Sequence, residues 1–133
     1  MSGTKIIGDL LIADAAVLEK VPADRIKAGQ LPDAIALPAL LVRKISGVER
    51  VHLQRVGSVR MTERVEVTVR AGSYREQETI IRLVRNACAG VIGTKSGFDG
   101  VYVENAGTGP DLIGPGNTFE QSQDFKVGFN EPV

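Results

Sequence analysis

Cysteine and histidine each occur once in the 133 residues, as Cys88 and His52. A single cysteine excludes an intramolecular disulfide, and a cysteine-based zinc site would need further ligands. His52 reads as a solvated loop residue rather than a catalytic or metal-binding one. Net charge is missing as well, because 16 basic residues balance 16 acidic ones. Proteins that grip DNA through its phosphates carry a basic excess, so sequence-independent nucleic-acid binding is disfavoured for the chain as a whole. No apolar run approaches the length of a membrane span. The N-terminal MSGTKIIGDLLIADAAVLEK has acidic residues inside its apolar stretch, and so no signal-peptide core. These absences predict a protein made and used in the cytoplasm, or in a particle assembled there.

The polar clusters that enzymes need are also scarce. Cys88 falls on the apolar side of a helical pattern, where a free thiol acts as a small hydrophobe. The glycine-rich stretch from Gly107 to Gly116 has no GxxxxGK[ST] pattern and no following helix. Its prolines remove amide donors that a phosphate would need. Glu63 and Glu66 sit on opposite sides of a strand's pleat or far apart along it, so no glycosidase-like carboxylate pair is indicated. No catalytic, cofactor or metal site is expected.

What is present is a soluble, globular composition, 43% hydrophobic and 24% charged, of a length that suits one domain. From Lys5 to about Lys20, Ile6, Leu10, Ala13 and Val17 recur at helical spacing, and Pro22 ends the pattern. Residues 22–38 read as a loop or a short strand around Arg25–Ala28. Ala39–Ser46 reads as a strand whose start is almost continuously apolar. Residues 47–60 are ambiguous and are assigned to a long mobile excursion. Met61–Arg70 alternates strictly: Val65, Val67 and Val69 face one way, and Arg64, Glu66, Thr68 and Arg70 the other. Ser73–Ala89 is a helix opened by the capping box Ser73–Glu76, with Gly90 as its left-handed stop. Phe98–Glu104 and Phe119–Phe129 read as strands, and residues 106–118 as a flexible loop.

This order predicts an α+β domain spanning residues 1–133. Its sheet is mostly antiparallel and four- to five-stranded, with two helices packed on one face. Two long loops, about 47–60 and 106–118, are features that usually carry function. The first interleaves Arg50, Arg55 and Arg60 with aliphatic residues, a mixture suited to folding onto a partner. With Arg64, Glu66 and Arg70 on the wet side of the neighbouring strand, these residues form a candidate interface.

Several segments resemble the small tail-completion proteins of long-tailed phages, a family that includes the tail terminators. They are the N-terminal helix, the proline-led strand Leu37-Pro38-Ala39-Leu40-Leu41-Val42 and the alternating Arg64-Val65-Glu66-Val67-Thr68-Val69-Arg70. The helix opening Ser73-Tyr74-Arg75-Glu76 and the closing Gln121-Ser122-Gln123-Asp124-Phe125-Lys126-Val127 complete the set. The resemblance covers roughly residues 5–129, although residues 47–60 match no family motif. It implies a non-enzymatic protein of the virion, at the tail-neck junction. There it would form a homo-oligomeric ring, commonly a hexamer, at the head-proximal end of the tail. The ring would stop growth of the tail tube and meet the tail-tube protein and a neck or head-completion protein. DNA would pass through it without specific binding. A small α+β ligand-binding module acting as a dimer is the alternative, which a deep apolar pocket with convergent polar groups would favour.

Overall fold

The computed structural model describes residues 2–49 and 57–132. Helix α1 (Ser2–Ala13) and helix α2 (Ala15–Lys20) are followed by a single 3-10 turn and the short strand β1 (Ile26–Ala28). Strands β2 (Ala39–Glu49) and β3 (Ser58–Ala71) precede helix α3 (Tyr74–Cys88). Then come β4 (Ile92–Lys95), β5 (Phe98–Thr108), β6 (Leu112–Gly114) and β7 (Thr118–Pro132). The sheet order is β1-β2-β3-β7-β5-β4, with β6 also on β7. β1 runs parallel to β2, and the other pairs are antiparallel.

The expected four- to five-stranded, mostly antiparallel sheet with two helices is therefore corrected. The described residues form a mixed seven-stranded sheet, curled into a half-barrel, with three α-helices. Each departure has a local cause. The pattern over 5–20 is not one helix, because Asp14 adopts an extended backbone (φ −90°, ψ 116°). Its carboxylate accepts from the Val17 N–H at 3.0 Å, capping α2. β4 comes from a hairpin whose two turn residues, Ser96 and Gly97, both have positive φ, the geometry that matches strand twist. Within the expected flexible loop 106–118, Leu112–Gly114 folds back as β6 against Thr118–Glu120. The expected excursion 47–60 is also shorter, since β2 continues to Glu49 and β3 begins at Ser58. Residues 50–56 lie outside those described.

The central pair is long. β3 and β7 stay in register from Ser58↔Pro132 to Ala71↔Phe119 without a bulge. The alternation in β3 then puts Val65, Val67 and Val69 on the helix side, all fully buried. Phe125, Val127 and Phe129 of β7 join them there, beneath Ile6, Ile7 and Leu11 of α1 and Ile80, Ile81 and Val84 of α3. Burying side chains of this size stabilises by about 1.5–3 kcal/mol each. Ser73 caps α3 as expected, its hydroxyl accepting from the Glu76 N–H, while the Glu76 carboxylate accepts from the Gly72 N–H, one residue before the cap. Gly90 has the expected positive φ (82°), and its N–H donates to Val103 O, tying the helix exit to β5.

Candidate interaction face

The even-numbered residues of β3 face away from the helices. Register places Arg64, Glu66, Thr68 and Arg70 beside Lys126, Asp124, Ser122 and Glu120 of β7. Opposite charges on adjacent strands then lie within reach. The Arg64 guanidinium meets the Asp124 carboxylate at 2.7 Å and also donates to Ala106 O at 3.1 Å. Glu66 pairs with Arg43 of β2 at 2.9 Å. Arg70 pairs with Glu120 at 2.7 Å and donates to Pro32 O at 3.0 Å. Arg60 donates to Gly100 O at 2.6 Å and to Asn130, with its guanidinium 5.2 Å from the centre of the Tyr102 ring. That ring packs against Gly128, where any Cβ would collide with it.

The structure thus brings four of the sequence-derived candidates, Arg60, Arg64, Glu66 and Arg70, onto one face of the sheet. Arg50, Arg55 and also His52 lie outside the described residues. The four are not equivalent. Arg70 is buried and clamps β3 to β7 and to the 29–38 segment, whereas the Arg64 side chain is about half exposed (48%). Arg43, Glu120 and Asp124 complete the ladder and were missed. The sequence shows their charges but not the register that pairs them.

Grooves flank Arg64. One of about 360 Å³ is bounded by Glu66, Gly109, Leu112, Ser122 and Asp124. Another of about 240 Å³ is bounded by Ser46, Val48, Thr62 and Lys126. Val48 is 67% exposed there, an aliphatic side chain amid charges.

A second polar cluster holds the glycine-rich segment in place. Gln123 is fully buried. Its amide donates to Asn105 and to Gly107 O, and its carbonyl accepts from the Thr108 hydroxyl at 2.6 Å. Gln121 donates to Gly109 O. Gln77 of α3 and the Tyr74 hydroxyl both donate to Asp111. These carboxamides anchor the backbone that the composition had suggested was free. The motif Gln121-Ser122-Gln123 carried a usable signal, because Gln121 and Gln123 share the face of Phe125 and Val127.

Cys88 is buried, and that burial, with the Asp14 carboxylate nearby, pushes its thiol up to about 12. Among the described residues, no group of three or more His, Cys, Asp or Glu side chains is placed to hold a metal ion. Among the described residues, no helix is long and apolar enough to cross a membrane.

No protein-family model matches the chain, and no curated protein matches it. Among solved structures the fold recurs. A chain of the virion of native gene transfer agent (GTA) particle matches with a TM-score of 0.59 and 12% identity, over 96% of this chain and 93% of that one. At that identity the similarity establishes a shared fold.

Proposed function

We propose that this chain is a non-enzymatic structural subunit of a tailed-phage-like particle. It acts as a hexameric ring at the head-proximal end of the tail. The carrying observation is the fold shared almost end to end with a chain of the GTA virion. The segments that resemble tail-completion proteins point the same way, and they sit on elements the fold uses. Leu40 and Val42 line the core from β2, residues 64–70 form the centre of β3, and residues 121–127 the centre of β7.

In this reading the ring caps the tail tube and presents its other side to the neck or head-completion protein, and DNA passes through without specific contacts. A single 14.2 kDa subunit cannot encircle a DNA duplex, so the role requires several copies. The face carrying Arg60, Arg64 and Glu66, together with Arg50 and Arg55, supplies contacts to copies or to the tube.

The experiment is co-expression with the tail-tube protein of the same particle, followed by native mass spectrometry and electron microscopy. Six-fold rings on tubes of defined length are expected. A chain that stays monomeric with tubes present, and whose loss leaves tail length unchanged, would overturn the reading.

A further inference from the structure

Cyclic rings need two different patches on each subunit, one for each neighbour. We propose that these patches are the β6 edge and the groove between α1 and β1, so that Ile113 of one copy enters the groove of the next. The proposal rests on the ring reading and specifies its contact.

The β6 patch has an unusual surface. Leu112 and Ile113 are adjacent, on opposite sides of a three-residue edge strand, and are 52% and 65% exposed. β6 pairs with β7 on one side, and among the described residues no strand covers its other side. Open edges with apolar side chains are templates for strand addition, and soluble chains ordinarily blunt them with charge. The pairing Ile113↔Phe119 puts Ile113 on the helix side of the sheet.

The receiving groove encloses about 340 Å³ on that same side. Its floor and walls are mostly apolar, from Gly8 and Ile12 of α1, Ile26 and Ala28 of β1, and Val42 of β2. β1 is the opposite open edge of the sheet, four strand spacings from β6 by way of β2, β3 and β7. At about 4.8 Å per spacing the two patches lie roughly 19 Å apart across the sheet.

Register places them at the same level along the strands. Ile26 aligns with Leu40, Leu40 with Val69, and Val69 with Gln121. Leu112 aligns with Glu120, the residue next to Gln121. Copies related by rotation about an axis parallel to the strands would therefore meet with almost no axial offset. That is the condition for a closed ring rather than a helical filament. Strand direction agrees too: β6 runs parallel to β3 and β1 antiparallel to it, so β6 meets the next copy's β1 antiparallel.

Charge is complementary. Asp111, beside the apolar pair, is held by two neutral donors, Tyr74 and Gln77, and no cation among the described residues pairs with it. Lys27, on the groove rim, likewise has no carboxylate partner among the described residues. Each is left for the other across the contact.

The test combines native mass spectrometry of the full chain, alone and with the tube protein, with cysteine cross-linking. Ile113→Cys and Ile26→Cys in one chain, two residue levels apart across the contact, should be joined by a short bis-maleimide into a ladder of covalent multimers ending at the ring size. Either cysteine alone should give none. Ile113→Glu, on an exposed side chain, should keep the circular dichroism of the wild type and raise the concentration needed for assembly at least about tenfold. The charge swap Lys27→Asp with Asp111→Lys should assemble better than either single change. If the wild type forms rings, yet the cysteine pair stays unlinked and Ile113→Glu rings are unchanged, this contact is wrong and the ring reading stands. A wild type that is monomeric in every condition removes the ring reading and this contact with it.

Discussion

The backbone N–H of Gly3 donates to the Glu63 carboxylate over 2.9 Å, joining residues sixty positions apart. Glu63 points to the helix side of β3 and is buried, at the N-terminus of α1. There an anion satisfies an orphan amide and meets the positive end of the helix dipole. Gly3 and Gly47 both pack against it, and a Cβ on Gly3 would collide with the carboxylate oxygen. Glu63→Ala should therefore cost about 1–3 kcal/mol, because it leaves a buried donor unpaired. Gly3→Ala should lower the melting temperature as well. Thermal unfolding checks both, and a Glu63→Ala melting curve that overlays the wild type would show that the cap carries no weight.

Val67 lies at the middle of β3, fully buried, between Val42 of β2 and Gln123 of β7. Val67→Asp should abolish soluble folding, since an unpaired buried carboxylate costs several kcal/mol, comparable to the stability of a small domain. A soluble variant with an unchanged melting temperature would reverse the assigned inner face.

Such placements were legible because local signals agreed with the final packing. The valine alternation of β3 and the Ser73–Glu76 cap each needed only neighbours in sequence. Other features depended on partners far along the chain. Glu63 reads as one more charged strand residue until α1 is laid over it. Leu112–Gly114 reads as part of a loop because two prolines and several glycines surround it, and only pairing with Thr118–Glu120 makes it a strand. The ion-pair face shows the same division. The charges of Arg64 and Arg70 were visible, but the unbroken β3–β7 register that couples them to Asp124 and Glu120 was not.

Arg64 and Arg70 should separate cleanly on substitution. Arg64→Ala removes an exposed pair and should change stability by no more than about 0.5 kcal/mol. Arg70→Ala removes a buried guanidinium that also serves Pro32 O, and should cost roughly 1–3 kcal/mol. Denaturant unfolding of both variants gives the comparison. Any assembly defect of Arg64→Glu then reports on contacts, whereas one from Arg70→Glu mixes contacts with folding. Equal losses from the two alanine variants would contradict the difference in burial.

Cys88 supplies a pH signature. Its thiol is raised from an ordinary 9.0 to about 12 by burial first and by Asp14 second. Between those values the unfolded chain has lost the proton and the folded chain keeps it. Stability therefore falls as pH rises through that window, and is unaffected below it. Cys88→Ala should lack this added loss, so its unfolding free energy should decline less steeply than the wild type above about pH 9. Cys88→Ser should leave assembly intact at a modest cost of about 1–3 kcal/mol. Labelling of the native protein by a thiol reagent within seconds at neutral pH would contradict the burial.

The connection between β2 and β3 bears on the candidate residues Arg50 and Arg55. β2 pairs with β3 out to Glu49↔Met61, while β3 extends three residues further along β7, to Ser58↔Pro132. Glu49 and Ser58 are therefore separated by three residue levels along the sheet, roughly 10–14 Å at about 3.4 Å per residue once the strand spacing is included. A two-residue turn cannot span this, so deleting the segment would strain β3 and confuse folding with function. Replacing residues 50–56 by glycine and serine at equal length removes the side chains and keeps the reach. The core residues Val59, Val65 and Val127 keep their contacts, so the melting temperature should stay within a few degrees of the wild type. Loss of two arginines and several aliphatic groups from an interface should nevertheless weaken docking to the tube, since arginine and apolar anchors dominate binding energy. Native mass and tail length are the readouts. A folded replacement that still builds tails of normal length would take Arg50 and Arg55 out of the tube contact and leave the face of Arg60, Arg64 and Glu66 to carry it.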